Sequence, residues 1–300
     1  MTLTDLRYIL ALAQERHFGR AAETCHVSQP TLSVAVKKLE EQLGVLLFER
    51  SAADVKVTEI GRRIVEQAER VLHEANQIRD IAEAGRDSFS GPLHLGVIYT
   101  IGPYLLPSLV PLLAARAPRM PLVIQENYTH RLAEQLKKGE IDVAILALPF
   151  QEPGIVTQPV YDEPFRIVLP KHHAWAKNES ISAEQLQEEP LLLLGAGNCF
   201  RDQVLEACPH IGGHSTGSDS LEGSSLETIR HMVASGMGVA VMPSTAADPL
   251  SGMVKCLPFA DAKPMRRIGL VWRITFPRPQ AIDAVSAAIR SCKLPGTKML

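Results

Sequence analysis

Hydrophobic positions near the N-terminus recur with helical spacing and predict three helices. Between residues 4 and 17, apolar side chains return every three or four positions, as on the buried face of one helix. A short helix then ends near Cys25, before a turn. The next helix begins at Ser28, a good N-cap residue, with Pro30 in its first turn, and it ends at Gly44. The pattern is helix, turn, helix.

The third of these helices has a small, polar face opposite its apolar face. At about 100° per residue, its leucines and Val36 fall on one side, so the other side is turned outward. Short side chains let a helix backbone approach base edges in the major groove of DNA. The predicted DNA-contacting residues of this helix are Ser28, Gln29, Pro30, Thr31, Ser33, Val34 and Lys37.

Residues 48–58 predict a short hairpin, or wing, after the third helix. Its basic residues Arg50 and Lys56 are placed to meet backbone phosphates. Positive and negative residues are nearly balanced over residues 1–65, so charge adds little support for DNA binding. A helix-turn-helix that serves only as part of a helical domain is the alternative.

A heptad repeat follows the wing and contains no proline. Its apolar residues alternate spacings of four and three, the pattern of a coiled-coil seam. A seam of this length more often pairs with a copy of itself, although packing on the body of its own chain is the alternative. Residues 85–92 break the pattern. The seam residues are Ile64, Ala68, Val71, Ala75, Ile78 and Ala82.

The N-terminal sequence resembles the winged helix-turn-helix of the LysR-type transcriptional regulators. The stretch FGRAAETCHVSQPTLSVAVKKLEEQLGVLLFER contains that family's Ala-Ala pair, Ser-Gln-Pro turn and Leu-Glu-x-x-Leu-Gly-x-x-Leu-Phe-x-Arg run. The resemblance implies a DNA-binding domain over residues 1–57. The heptad repeat that follows predicts a dimerising linker helix over residues 58–88. The matching residues are Ala21, Ala22, Ser28, Gln29, Leu39, Glu40, Leu43, Gly44, Leu47, Phe48 and Arg50.

Residues 89–300 predict an α/β regulatory domain. Consecutive β-α-β units at its start favour a parallel sheet with helices on both faces, and strands are also expected at 165–169, 191–194, 239–242 and 268–272. Strands that return after a central insertion indicate two subdomains and two chain crossings between them.

The expected fold class is therefore α/β, with an all-α winged helix-turn-helix at the N-terminus. By resemblance to the LysR effector domain, the two subdomains are Rossmann-like and similar to periplasmic binding proteins. The first comprises about residues 89–162 and 268–300, and the second about 163–267. In such folds ligands bind at the carboxyl ends of strands, here near Thr100, Thr129 and residues 195–199.

Composition narrows the class of protein further. The 300 residues are 46% hydrophobic and carry a net charge of −2, so contact with nucleic acid must come from a local patch. We find no export signal and no apolar run that could span a bilayer, which predicts a cytoplasmic protein with no membrane partner. The five cysteines are too sparse for a secreted disulfide scaffold. No histidine and cysteine set has metal-site spacing, and no cofactor is expected.

Two of the cysteines, Cys199 and Cys208, lie nine positions apart in a helix-prone stretch. In a helix, nine residues rise about 13.5 Å, whereas a disulfide tolerates roughly 4.4 to 6.8 Å between Cα atoms. Oxidation that joins them therefore requires this segment to unwind, and would act as a conformational switch. Two buried, inert thiols are the alternative. The other cysteines, Cys25, Cys256 and Cys292, match no motif and are interpreted as core or surface thiols.

Cys199 is the better nucleophile of this pair. The expected helix begins there and Arg201 follows, so the helix dipole and the guanidinium both favour a thiolate. Peroxide would oxidise such a thiolate to a sulfenic acid, which Cys208 could convert to a disulfide. Asp202 either opposes this effect or orients Arg201, and both possibilities stay open.

A second, narrower resemblance supports the redox interpretation. The segment NCFRDQVLEAC is similar to the redox segment of the hydrogen-peroxide sensors of the LysR family, which implies that Cys199 is peroxidatic and Cys208 resolving. Further matching stretches imply a peroxide pocket that includes Thr100, Thr129 and Arg266. Asn198 replaces the histidine expected before the reactive cysteine. An amide can donate a hydrogen bond but cannot titrate near neutral pH.

These features predict a transcriptional regulator rather than an enzyme. It is expected to bind double-stranded promoter DNA, to respond to hydrogen peroxide through Cys199 and Cys208, and to control antioxidant genes. By family resemblance it is a dimer of dimers that contacts RNA polymerase. The alternatives are a LysR-type regulator that binds a small metabolite, with incidental cysteines, and a thiol peroxidase.

Overall fold

The computed structural model describes residues 1–50, 55–84, 87–208, 222–247, 252–260 and 263–300. The chain divides into two compact units, Met1–Arg86 and Asp87–Leu300. Among the described helices, none combines the length and the apolar character needed to cross a bilayer.

The N-terminal unit contains three helices, a two-stranded antiparallel hairpin and one long helix. Its core is formed by the apolar faces of the three helices together with the hairpin and the start of the long helix. In chain order the elements are α1 (Leu3–Glu15), α2 (Phe18–Thr24), α3 (Gln29–Leu43), β1 (Phe48–Arg50), β2 (Val55–Val57) and α4 (Glu59–Ala84).

Capping residues explain the bounds of these helices. Ser28 accepts a hydrogen bond from the backbone N–H of Thr31, and Gly44 ends α3 in the left-handed conformation at φ 69°. These are the bounds that the sequence predicts for α3. The predicted end of α1 at His17 is wrong by two residues, because the imidazole of His17 accepts hydrogen bonds at the start of α2.

A buried glutamate connects α3 to the hairpin. The Glu40 carboxylate accepts hydrogen bonds from the backbone N–H groups of Leu47 (2.8 Å) and Phe48 (3.1 Å), at the start of β1. A buried carboxylate needs such donors. Glu40 therefore fixes the turn that leads into the wing.

The regulatory unit begins with two β-α-β units and continues through shorter elements. They are β3 (Leu93–Ile98), α5 (Gly102–Arg116), β4 (Leu122–Asn127), α6 (Thr129–Lys138), β5 (Val143–Leu148), β6 (Ile155–Pro170), β7 (Leu191–Leu194), α7 (Cys199–Ala207), β8 (Glu222–Gly223), α8 (Leu226–Ala234), β9 (Val239–Pro243), α9 (Ser244–Ala247), β10 (Val254–Leu257), β11 (Met265–Arg273), α10 (Pro279–Ser291) and β12 (Lys298–Met299).

The strands follow the order β4-β3-β5-β11-β6-β9-β7-β8, and β10 and β12 also pair with β6. Strands β3, β4 and β5 are parallel, as the sequence predicts. The expectation of a parallel sheet is wrong for β11, which runs antiparallel to both β5 and β6. The chain returns along β11 in the direction opposite to its outward path along β6.

Strand β6 is much longer than the predicted strand at 165–169. It spans sixteen residues, and its first half pairs with β11 while its second half pairs with β9 and β10. The first half escapes prediction because two prolines and a run of polar residues, including Asp162 and Glu163, interrupt its apolar pattern.

Two hydrophobic cores lie on the two halves of this sheet. One contains β3, β5 and helices α5 and α10, and the other contains β7, β9 and parts of α7 and α8. Strands β6 and β11 carry the chain between them. Two α/β halves joined by two crossings confirm the expected fold class.

Candidate functional site

The register of two parallel strands brings four side chains of the candidate site together. Ile98 at the end of β3 pairs with Asn127 at the end of β4. The residues that follow therefore lie side by side, Tyr99 near Tyr128 and Thr100 near Thr129, at the carboxyl ends of the strands. This is the edge at which α/β sheets bind ligands.

The loop from β7 to α7 delivers a cysteine to this edge. Gly197 adopts φ 90°, a conformation that suits glycine, and the Asn198 side-chain amide donates a hydrogen bond to the carbonyl of Gly195 at 3.0 Å. Asn198 is buried and serves as the N-cap position of α7. Cys199 is the first residue of that helix, so its half-buried thiol lies at the positive end of the helix dipole.

A cavity of about 10 Å³ connects these elements. The Thr129 hydroxyl donates a hydrogen bond to the Cys199 sulfur at 3.6 Å. A space of this size holds roughly one water molecule. The lining residues are Ile98, Tyr99, Thr100, Asn127, Tyr128, Thr129, Gly197, Asn198 and Cys199.

A buried ion pair is hydrogen-bonded to Thr100, one of the residues that line the cavity. The guanidinium of Arg266 binds the Glu163 carboxylate at 2.7 Å, and both side chains are fully buried. Arg266 also donates to the Thr100 hydroxyl (2.8 Å) and to the Thr100 carbonyl (2.9 Å). The backbone N–H of Thr245 completes the set with a hydrogen bond to Glu163 at 3.0 Å. Arg266 thus reaches the cavity through Thr100.

The sequence pattern does not predict Glu163 as a site residue. Its signal is an acidic pair before a proline inside a strand, in the run YDEPF. Glu163 and Arg266 are directly paired across β6 and β11. The pairing of these two charged side chains can be inferred from the sequence only if both strands are predicted. The sequence predicts β11 but not the first half of β6.

Cys208 lies at the other end of α7. It is the C-cap residue, it is buried, and it packs in the second hydrophobic core, away from the cavity. Both cysteines are thiols in this structure. The nine-residue rise of about 13.5 Å along the helix separates them, beyond the reach of a disulfide.

Arg201 and Asp202 face other directions than the cavity. Arg201 binds Glu222 on β8 at 2.6 Å and the carbonyl of Leu194 on β7 at 2.7 Å. Within the described ranges, no hydrogen bond or ion pair joins it to the Cys199 thiol. Asp202 is exposed. The guanidinium therefore ties the first turn of α7 to the sheet.

Two of the three remaining cysteines are separate from this site. Cys25 packs against the N-terminal core and Cys292 is buried in the first core of the regulatory unit. Burial raises the pKa of both thiols. Thiols of this kind are poor nucleophiles at neutral pH.

Comparison with known families assigns both units of the chain. A model of the bacterial regulatory helix-turn-helix protein of the lysR family matches residues 3–62, and a model of the LysR substrate binding domain matches residues 86–292. The chain belongs to the LysR family. The N-terminal unit is therefore a regulatory helix-turn-helix domain, and the C-terminal unit is a LysR substrate binding domain.

Several relatives and solved structures within the LysR family carry the name OxyR. The chain is 40% identical to the DNA-binding transcriptional dual regulator OxyR of Escherichia coli K12, over 97% of this chain and 95% of the relative. A full-length OxyR from Pseudomonas aeruginosa, with a cysteine-to-aspartate change, is 54% identical and superposes with a TM-score of 0.78, covering 98% and 99% of the two chains. A hydrogen-peroxide-bound cysteine variant of OxyR from Corynebacterium glutamicum is 33% identical, with a TM-score of 0.64 over 96% and 91%.

The LysR helix-turn-helix presents most of its predicted DNA-contacting residues to solvent. Val34 is 66% exposed, and Lys37 forms only a loose, exposed ion pair with Glu41. Ser28 is engaged in capping α3 and Ser33 is partly buried. Lys56 is exposed on β2, whereas the side chain of Arg50 lies outside the described part of the chain. The exposed members of this set are Ser28, Gln29, Pro30, Thr31, Val34, Lys37 and Lys56.

The predicted seam on α4 is buried only at its start. Ala68 is buried and Ile64 packs against the N-terminal core, whereas Val71 is 38% exposed and Ile78 is 70% exposed. The second part of the seam is therefore an apolar stripe that faces solvent in the single chain.

Two carboxylates approach each other between β4 and α8 of the LysR regulatory unit. One oxygen of Glu126 is buried and has no hydrogen-bond partner among the residues that are described. Burial, and then the charge of Glu227, raise the pKa of Glu126.

Across the described part of the chain, no three His, Cys, Asp or Glu side chains are grouped to hold a metal ion.

Proposed function

We propose that this LysR-family regulator binds promoter DNA and senses hydrogen peroxide through reversible formation of a disulfide between Cys199 and Cys208. The observation that carries the proposal is the Cys199 thiol, hydrogen-bonded to Thr129 in a cavity of one-water size, with the second thiol at the far end of the same helix. Relatives named hydrogen peroxide-inducible genes activator and a peroxide-bound OxyR structure support it.

The first step is attack of the Cys199 thiolate on one peroxide oxygen. The sulfur–oxygen bond forms as the oxygen–oxygen bond breaks, and the leaving hydroxide takes up a proton to become water. Sulfur loses two electrons and becomes a sulfenic acid. Thr100 accepts from Arg266 and keeps its own proton to donate to a peroxide oxygen, while Thr129 donates to sulfur and can accept a peroxide proton.

In the second step the Cys208 thiol attacks the sulfenic sulfur. A disulfide forms, and the sulfenic hydroxyl leaves as water with the thiol proton. Because the helical rise holds the two residues too far apart, α7 must unwind and Cys208 must leave its core. The energy of the new covalent bond drives this change.

The rebuilt segment gives the regulator its output. We expect the oxidised regulatory domain, about residues 89–300, to change how paired helix-turn-helix units lie on promoter DNA. The assembly is a homo-oligomer, a dimer of dimers, in which α4 pairs with a second copy. RNA polymerase is its partner at antioxidant genes, and reversal by thiol reduction requires the reducing cytoplasm.

The small cavity at Cys199 favours peroxide over a metabolite as the ligand of this site. A space of about 10 Å³ is far below the volume of several hundred Å³ typical of small-molecule sites. A thiol peroxidase would require turnover with a reductant, and a helix-turn-helix domain contributes nothing to that reaction.

The proposal is tested by peroxide treatment of the reduced full-length chain, followed by mass mapping. We expect a Cys199–Cys208 link, faster amide hydrogen exchange in α7, and altered binding to promoter DNA. Cys208→Ser should stop the reaction at a sulfenic acid on Cys199, which dimedone traps.

Cys292→Ser is the matched control and should respond as the unchanged chain does, because Cys292 lies in a different core. The proposed switch would be contradicted if both thiols were still intact after peroxide treatment, or if hydrogen exchange in α7 were unchanged after the link forms.

A further inference from the structure

Two tyrosines line the cavity of Cys199 and also reach solvent. Tyr99 is 42% exposed and Tyr128 is 36% exposed, whereas Thr100, deeper in the same cavity, is buried. The pair Tyr99 and Tyr128, here called the tyrosine rim, therefore lies on the solvent side of the cavity, beside the partly exposed Cys199.

Neighbouring groups hold the tyrosine rim in place. The two rings meet edge to face, with centroids 5.3 Å apart and planes at 77°. The His130 ring stacks on Tyr128 at 5.8 Å and 14°. Tyr128 is also the N-cap residue of α6, and its backbone N–H donates to the Asn127 side chain at 2.9 Å. Aromatic contacts of this geometry restrict ring motion.

The chemistry of the first step sets what must pass this rim. The thiolate attacks the terminal oxygen of a hydroperoxide, and the other oxygen leaves in line, on the side away from sulfur. In hydrogen peroxide the leaving oxygen carries only a proton. In an alkyl hydroperoxide it carries the alkyl group, and it departs as an alkoxide that takes up a proton to become an alcohol.

A cavity of about 10 Å³ has no room for an alkyl group beside the reacting oxygen. That group must extend outward across the exposed part of the lining, which consists of Tyr99, Tyr128 and Gly197, and of these only the tyrosines carry side chains. An alkyl group that displaces either ring disrupts the edge-to-face and stacking contacts.

We propose that the tyrosine rim determines the substrate class of this thiol, by excluding bulky alkyl hydroperoxides while admitting hydrogen peroxide. The inference rests on the proposed function and adds its specificity-determining residues. The rim acts by size, so the aromatic ring of Tyr128 matters and its hydroxyl does not.

The test measures the rate constant for sulfenic acid formation on Cys199 in the full-length Cys208→Ser chain. The three oxidants are hydrogen peroxide, tert-butyl hydroperoxide and cumene hydroperoxide, with dimedone trapping and mass spectrometry as the readout. We expect Tyr128→Ala to raise the rate constant for cumene hydroperoxide about tenfold, the scale of discrimination by small steric differences. The rate constant for hydrogen peroxide should change less. The ratio of the hydrogen peroxide rate constant to the cumene hydroperoxide rate constant therefore falls.

Three further variants separate the possible causes. Tyr128→Phe keeps the ring and should keep the ratio. Tyr99→Ala should lower the ratio, and it gives an independent result if Tyr128→Ala folds poorly. Ile124→Ala is the matched control, because Ile124 lies on β4, the strand that precedes Tyr128, is 37% exposed and does not line the cavity. Its ratio should equal that of the parent chain.

The outcomes distinguish the two proposals. If hydrogen peroxide oxidises Cys199 normally and the ratio is unchanged in both alanine variants, the tyrosine rim does not select and this inference alone is overturned. If hydrogen peroxide fails to oxidise Cys199 with both tyrosines intact, the proposed function is overturned and this inference with it.

Discussion

Two chemically identical hydroxyls differ in this site because their partners differ. Thr100 accepts a hydrogen bond from Arg266, so its proton remains available to a peroxide oxygen. Thr129 uses its proton on the Cys199 sulfur, so its lone pairs remain available as acceptors. The sequence places both threonines after predicted strands, but their opposite roles depend on Arg266, far along the chain.

Thr129→Val should slow oxidation of Cys199 by hydrogen peroxide. The change removes the donor to sulfur while keeping the shape of the side chain. A hydrogen bond to a charged group contributes about 1.5 to 3 kcal/mol, so we expect a rate constant about tenfold to a hundredfold lower. Trapping of the sulfenic acid over time measures it. Thr157→Val, an exposed change on β6, is the control, and an equal rate for both variants would contradict the role of Thr129.

Glu126→Gln should stabilise the reduced protein at neutral pH. Burial and Glu227 raise the pKa of Glu126 above its ordinary value of 4.5. An acid whose folded-state pKa is raised favours the fold below its unfolded pKa, and this contribution is lost as pH rises through the folded pKa. At neutral pH the raised pKa of Glu126 therefore lowers the stability of the fold, and glutamine removes this cost.

Thermal unfolding as a function of pH measures this effect. The gain in melting temperature from Glu126→Gln should shrink as pH falls toward 4.5. Glu134→Gln, an exposed change on α6 that removes only a surface ion pair with Arg131, is the control and should give no gain in melting temperature at neutral pH. A variant that is less stable than the parent at neutral pH would show that the carboxylate is needed in its charged form.

At the scale of elements, β6 and β11 form the connection between the two halves of the regulatory unit. The pair Glu163 and Arg266 lies on this connection and also holds Thr100. The Glu163–Arg266 pair thus links the strand crossing to the cavity. A change there affects stability and chemistry together.

Arg266→Met should destabilise the regulatory unit by about 3 to 5 kcal/mol, because it leaves the buried Glu163 carboxylate uncompensated. Adding Glu163→Gln should recover part of the loss, since the buried charge is then gone. Urea unfolding of the reduced protein measures both. Arg267→Met, which breaks the half-exposed neighbouring pair with Asp162, should cost less, and an equal cost would contradict this account.

The elements that could be predicted from sequence are those with local signals. The bounds of α3 follow from Ser28 and Gly44, and β7 follows from a run of leucines. The first half of β6 could not be predicted, because its stability comes from β11, about a hundred residues later. The same long-range pairing hides Glu163. Cys199 and Cys208 were found because a helix and two cysteines are both visible locally.

At the scale of the whole molecule, the exposed stripe on α4 bears on assembly. Its start packs in the N-terminal core, while Val71 and Ile78 face solvent in the single chain. Apolar residues at heptad spacing favour a second helix as cover. The sequence predicts the seam, but it cannot show which part the chain itself covers.

Ile78→Glu tests whether a second copy covers this stripe. Because Ile78 is 70% exposed, the change should leave folding of the single chain intact. Two glutamates brought together in a paired seam should weaken self-association by at least about 2 kcal/mol, or roughly thirtyfold in the dissociation constant. Light scattering over a concentration series measures the mass, and binding to promoter DNA should weaken in parallel.

Asn76→Glu provides the matched control, because it adds the same charge on an exposed position of α4 outside the seam. It should leave the mass unchanged. If Ile78→Glu instead lowers the melting temperature with no change in mass, the stripe packs on its own chain. Paired helix-turn-helix units would then need another interface, and the output of the cysteine switch would have to reach DNA by a route that does not pass through α4.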